Sequence, residues 1–216
     1  MLILVRHGEV PANAEGLLLG RADPSLTATG RRQAAALAEL LPRPARIVSS
    51  PLTRAQETAA VLAEGTDAVV EVDPRWVELD YGHLDGKPPT ALGERAWHEF
   101  RTDPDFVPPG GESLSSLCRR VREACEELAA DAADSDVVVV SHVSPIKAAV
   151  TWALGVGDCV AWRMFLGDAA ISRIDTSGSQ PLLLGFSDTT ASRSQTERST
   201  DTTTPRTIAS SPSMTS

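Results

Sequence analysis

A chain of 216 residues with a formal net charge of −9 has no broad basic face for a nucleic-acid backbone or an anionic membrane, so any phosphate it handles must meet a local cluster of positive groups. The length suits one domain that buries its core without disulfides or metals, and the three cysteines, Cys118, Cys125 and Cys159, include no C-x-x-C pair and read as small buried hydrophobes. The opening apolar run from Met1 to Val5 is too short for a signal segment and no later stretch could span a bilayer, so the chain is expected in the cytoplasm.

Met1 to Val5 is β-branched and apolar, the pattern of a strand buried on both faces, and it delivers Arg6, His7 and Gly8 at its C-terminal end. In open α/β sheets ligands bind at that edge. Thr27 to Leu41 reads as a helix capped by threonine, filled with alanine and leucine and stopped by Pro42. Arg46 to Ser49 makes a second strand. Ser50-Pro51 opens the next helix, since proline suits a first helical position, and that helix runs to about Gly65. Val69 to Val72 is a weaker third strand. From Asp73 to Gly111, prolines at 74, 88, 89, 104, 108 and 109 break the pattern around one helical piece near Ala91 to Phe100. This is expected to be an inserted, lid-like region that shapes the mouth of a site. Glu112 and Ser113 start a long amphipathic helix to about Ala133, and Val137 to Val140 is a buried strand ending in Ser141-His142. Pro145 to Leu154 is helical, and Ala169 to Asp175 and Leu182 to Phe186 are late strands. Alternating strands and helices predict a three-layer α/β/α sandwich with a mainly parallel central sheet. The domain is expected over residues 1–186, with a disordered Ser/Thr-rich tail over 187–216 that is too polar to offset its ordering entropy.

Phosphoryl transfer needs a nucleophile, positive groups on the non-bridging oxygens and an acid for the leaving oxygen. The pieces Arg6-His7-Gly8-Glu9 with Asn13, Ser50 to Ala55, Glu78 and Ser141-His142 supply such a set. His7 is the candidate nucleophile: a neutral imidazole nitrogen can attack phosphorus and split one slow displacement into two. Arg6 and Arg54 would repel an imidazolium, keeping His7 neutral, and would hold phosphate through charge-assisted, bidentate-capable hydrogen bonds. Arg54 falls in the first turn of its helix, so arginine and helix N-terminus can face one anion. His142 is a second oxygen clamp, and Asn13 a neutral donor. Glu78 is the best candidate acid, with Asp80, Asp85 and Glu9 as alternatives. It must be protonated in a first step and ionised in a second, which asks for a pKa near neutrality. Burial beside Trp76 and Tyr81 would raise it and the arginines would lower it, a balance that sequence leaves open. His83 and His98 belong to no motif, and Gly110-Gly111-Glu112-Ser113 reads as the opening of the following helix, with backbone that could also border the pocket. No His, Cys and carboxylate spacing suggests a metal, no cofactor is implied, and catalysis is expected to survive chelators.

Together these residues resemble the histidine phosphatase superfamily, branch 1, the phosphoglycerate-mutase-like group. The likeness runs from about Met1 to Asp175. It rests on Leu4 to Glu9, on Leu26-Thr27 with Gly30, Gln33 and Ala34, on Ser49 to Ala59, on Glu78 with Gly82 and Gly86, and on Ser141-His142. The resemblance implies a phosphoglycerate-mutase-like fold, a phosphorylated His7, phosphoryl binding by Arg6, Arg54 and His142, and proton donation by Glu78. Where many members have glycine after the second histidine this chain has Val143-Ser144, so a backbone contact to phosphate there would come from the bulkier Val143. A mutase of this group would carry an arginine and a tyrosine after the acid, where Leu79 and Asp80 stand, and a longer insertion with a lysine and paired arginines.

The expected function is therefore metal-independent hydrolysis of small phosphate monoesters through a phosphohistidine intermediate. A phosphoglycerate-type mutase and a non-catalytic phosphate-ester binding module are the alternatives. The partner is a small phosphorylated metabolite, and sugar phosphates, phosphoglycerate derivatives and the nucleotide-loop phosphate of cobalamin synthesis stand unranked. With Lys87 and Lys147 as its only lysines among many arginines and alanines, the composition fits a GC-rich bacterial genome. Oligomeric state is not legible.

Overall fold

The central strands are apolar at nearly every position, and successive side chains leave on opposite faces. Leu2, Leu4, Val137 and Val139 therefore enter one core, and Ile3, Val5, Val138 and Val140 another. The computed structural model describes residues 1–191. It has strands β1 (Leu2–Arg6), β2 (Arg46–Ser49), β3 (Val70–Val72), β4 (Val137–Ser141), β5 (Ile171–Asp175) and β6 (Leu182–Asp188), in the sheet order β3-β2-β4-β1-β5-β6. The first four run parallel; β5 is antiparallel to β1, and β6 to β5. The helices are α1 (Pro11–Ala14), α2 (Ala28–Leu40), α3 (Thr53–Ala63), α4 (Glu94–Thr102), α5 (Leu114–Asp134) and α6 (Val143–Leu154). Helices α5 and α6 pack on the Leu2 face, and α2 and α3 on the Ile3 face. The result is the expected three-layer α/β/α sandwich around a mainly parallel sheet. No helix among the described residues is long and apolar enough to cross a membrane.

Local chemistry explains where the helices start. Thr27 Oγ1 accepts the Gly30 N–H at 3.0 Å and Ser113 Oγ the Ser116 N–H at 3.2 Å, the expected side-chain caps. Helix α3 begins at Thr53, two residues after the proline expected to open it. The reason is that Ser50 still extends the β2 ladder, its N–H donating to Val140 O at 3.0 Å, so Pro51 and Leu52 serve to turn the corner. Leu52 offers no cap; Asp23, from a distant loop, accepts the Thr53 N–H at 2.7 Å and its hydroxyl at 2.8 Å. Helix α6 starts directly after His142, and Pro145 sits inside its first turn, where a missing N–H costs no intrahelical bond. A side chain on Gly8 would overlap the backbone of Gly30, and one on Gly30 the backbone of Glu9, so this pair lets the β1 tip meet the start of α2.

The segment from 73 to 111 packs against α5. Trp76, Leu79, Leu84 and Phe100 are buried in the same core as α5 and α6. Cys118 and Cys125 are buried there too, and burial foremost pushes the Cys118 thiol up to about 12, as suits small apolar filler. At the other end β6 continues to Asp188, past the expected boundary at 186, and Ala191 is buried. The part of the tail from 192 to 216 lies outside the described residues.

Candidate active site

Three adjacent strands deliver the candidate residues at one edge of the sheet. Arg6 pairs with Ser141 in the β1–β4 register and Ser49 with Val140 in the β2–β4 register, so His7, His142 and Ser50 are the next residues of neighbouring strands. The ladder continues into the site: the His7 N–H donates to Ser141 O at 3.0 Å. The two imidazoles lie with ring centroids 5.0 Å apart and planes tilted by 59°. His7 Nδ1 lies 2.7 Å from Gly8 O. A carbonyl can only accept, so Nδ1 carries the proton and Nε2 the lone pair. Arg54 Nε then donates between the rings, to His7 Nε2 at 3.3 Å and His142 Nδ1 at 3.2 Å, while His142 Nε2 meets Ser50 Oγ at 2.7 Å.

Both arginines are locked through their terminal nitrogens. Arg54 donates to Ala22 O at 2.7 Å and Gly20 O at 2.9 Å. Arg6 donates to Leu166 O at 2.7 Å and pairs with Asp168 at 2.7 Å, while its buried Nε has no hydrogen-bond partner among the described residues. An orphaned buried guanidinium donor is costly unless an anion completes it. Burial first, and Arg6 and Arg54 second, hold His7 well below the ordinary histidine range, against the pull of the Gly8 carbonyl. Repulsion by the arginines was the expected cause; loss of hydration is the larger one. His142 is likewise held well below its usual value by burial, then by His7, Arg54 and Arg6. The Tyr81 phenol is pushed up, by burial and then by Glu78.

Glu78 is buried, and its carboxylate accepts the Leu79 N–H at 2.6 Å and the Ser144 N–H at 3.2 Å, the latter from the N-terminus of α6. It lines, with His7 and Arg6, a cavity of about 410 Å³ whose walls include Asn13, Leu17 to Leu19, Tyr81, Val143, Phe165 and Asp168. The model of the Histidine phosphatase superfamily (branch 1) matches residues 2–189. The chain belongs to that family. It is 37% identical over 177 residues to the "Bifunctional protein Rv2228c" of Mycobacterium tuberculosis, covering 79% of this chain and 49% of that protein, so it spans about half the length of the first curated relatives it matches. It is 34% identical over 189 residues to the "Probable phosphoglycerate mutase GpmB" of Proteus mirabilis, covering 85% of this chain and 88% of that one. Among solved structures, phosphoserine phosphatase of Entamoeba histolytica in complex with 3-phosphoglyceric acid superposes with a TM-score of 0.81 at 28% identity, over 88% of this chain and 98% of that one.

In this histidine phosphatase fold the predicted residues Arg6, His7, Asn13, Glu78 and Val143 line one cavity, and Arg54 and His142 sit behind His7. Asn13 Oδ1 accepts the Val10 N–H at 3.3 Å, leaving its amide NH₂ as its donor. The alternative acids are engaged elsewhere. Asp85 accepts the Gly20 and Ala22 N–H groups at 2.9 and 2.7 Å, Asp80 that of Gly82 at 2.8 Å, and Glu9 the Thr27 hydroxyl at 2.7 Å. The 73–111 segment contributes Glu78 and Tyr81 to the cavity, and its Trp97, His98 and Arg101 line a separate cleft of about 610 Å³ beside Trp162. Residues 16–19 and Phe165, 81% exposed, line the cavity as well, with Gly167 and Asp168. Sequence reasoning missed Asp168 and the anchoring carbonyls of Gly20, Ala22 and Leu166, which sit in irregular loops with no motif. Ser50 carried a signal, since it lies in the Arg54 motif.

Proposed function

We propose that this chain is a phosphatase of small phosphate monoesters that works without a metal, through a phosphohistidine at His7. The observation that carries the reading is the tautomer of His7: with Nδ1–H committed to Gly8 O, Nε2 presents its lone pair beside the arginines. Nε2 attacks phosphorus, the P–N bond forms as the ester P–O bond breaks, and Glu78 gives its proton to the departing oxygen. The positive charge that develops on the ring is met by the Gly8 carbonyl. Arg6 Nε takes a non-bridging oxygen, and Arg54 Nε exchanges its hydrogen bonds to His7 Nε2 and His142 Nδ1 for another, which frees the attacking lone pair and lets His142 join in holding the phosphoryl group in a dry site. For His142 to donate from Nδ1 its proton must move to that nitrogen, and the Ser50 hydroxyl can reverse from acceptor to donor at Nε2 to allow it. In the second step Glu78 accepts a proton from water, which attacks phosphorus and releases His7. Apolar walls at Leu17 to Leu19, Val143 and Phe165 suit a compact ester. Hydrolysis is favoured over mutase chemistry because Leu79 is buried and Asp80 turns to Gly82, which leaves no cation after the acid to hold a substrate carboxylate. Free Cys118 and Cys125 with an acidic composition support a cytoplasmic setting.

The test is phosphate release from a panel of small esters at pH 5.5 to 8 in chelator, with His7→Ala alongside. Turnover by the wild type that vanishes in the variant is expected. Silence of both across the panel, with primer-dependent phosphate exchange, would favour a mutase.

A further inference from the structure

Glu78 sits in a stretch, residues 77–81, with no regular secondary structure, yet a proton donor must be held within about an ångström of its productive place. What holds this stretch is a second ion pair outside the cavity. Arg120, on α5, donates from Nη1 to Arg75 O at 2.5 Å and Val77 O at 2.7 Å, and from Nη2 to Glu78 O at 3.3 Å. Glu112 grips the other edge of the same guanidinium, at 2.9 Å from Nε and 2.9 Å from Nη2. The Glu112 N–H in turn donates to Asp80 O at 2.9 Å, and Arg21 adds a contact at 3.4 Å. The carbonyls of residues 75, 77, 78 and 80 thus all end on this pair. Both side chains are largely buried, 17% and 15% exposed. Burial works against an ionised Glu112, but hydrogen bonds and charge from Arg120, with Arg21, keep it below the usual carboxylate range.

We infer that Arg120, clamped by Glu112, is a positioning residue for the acid: it gathers the carbonyls of the Glu78 segment and so fixes the carboxyl group against the leaving oxygen. Only a planar, five-donor guanidinium can serve carbonyls on one edge and a carboxylate on the other; a lysine cannot. The Gly-Gly-Glu-Ser stretch thereby gains a role beyond capping α5. This inference rests on the reading of Glu78 as general acid.

The discriminating readout is leaving-group dependence. Nitrophenolate departs without protonation, whereas an alkoxide needs the acid. We would measure kcat/KM, which reports the phosphoryl-transfer step, for 4-nitrophenyl phosphate and for glycerol 2-phosphate, with wild type, Glu78→Gln, Arg120→Met and Arg120→Lys. Glu78→Gln should lose roughly 100-fold or more on the alkyl ester and far less on the aryl ester. Arg120→Met should show the same selective loss, about 10-fold or more, and Arg120→Lys should not restore it. Should Arg120→Met fail to fold, Glu112→Gln carries the prediction at smaller scale. Equal losses on both esters for the Arg120 variants, with selectivity kept in Glu78→Gln, would overturn the inference and leave the acid standing. No selectivity in Glu78→Gln would sink the acid assignment, and this inference with it.

Discussion

The two histidines are buried neutral, and that has a thermodynamic consequence. In the unfolded chain each imidazole titrates near the ordinary histidine value of about 6.5, whereas in the fold both are held well below it. Between those values the unfolded state binds more protons than the folded one, so stability falls as pH drops below about 6.5. Each histidine contributes a slope of up to about 1.4 kcal/mol per pH unit in that window. Urea unfolding at pH 7, 6 and 5 should therefore show a shallower acid loss for His7→Asn than for wild type. Identical slopes would mean that His7 binds protons equally in the folded and unfolded states. At this scale the candidate residues were legible, because His7 and His142 follow strand tips, Arg54 stands in the first turn of its helix and Glu78 lies in a short motif within an irregular segment. Their partners were not. Asp168 pairs with Arg6 across a separation that only the β1–β5 pairing closes, and the Gly20 and Ala22 carbonyls carry no side-chain signal.

At the scale of elements, hydrophobic alternation and turn residues located nearly every strand and helix, and proline misplaced two helix starts. Helix α3 starts late because Ser50 still extends the β2 ladder, a tertiary constraint that outweighs the preference of proline for a first helical position, and α6 starts directly after His142 because Pro145 is tolerated inside its first turn. Asp23 then caps α3 from another part of the chain, and it also belongs to the loop whose carbonyls hold Arg54. Asp23→Ala should cost about 0.5–2 kcal/mol, read as a lower urea midpoint. It should also reduce kcat/KM, since the start of α3 sets the direction of Arg54. A variant with full activity and unchanged stability would show that Leu52 and solvent suffice as a cap. The prolines and short pieces of the 73–111 segment read as an inserted, lid-like region, while the contact of Trp76, Leu79 and Phe100 with the α5 core, which joins residues far apart in sequence, carried no sequence signal.

Across the whole molecule the parallel strands and their crossover helices bring four distant stretches, around residues 6, 54, 78 and 142, to one edge of the sheet, where low dielectric, two locked guanidinium groups and one lone pair converge. Membership of the histidine phosphatase superfamily accounts for the fold, and the tautomer of His7 accounts for the chemistry proposed on it. The most direct test is to trap the intermediate. The protein, mixed with a phosphate ester labelled with ³²P and quenched in alkali within milliseconds, should carry label on His7 that survives base and is lost in acid. The label should decay at the rate of turnover and be absent from His7→Ala. Turnover without any label on His7, or label on another residue, would contradict the account.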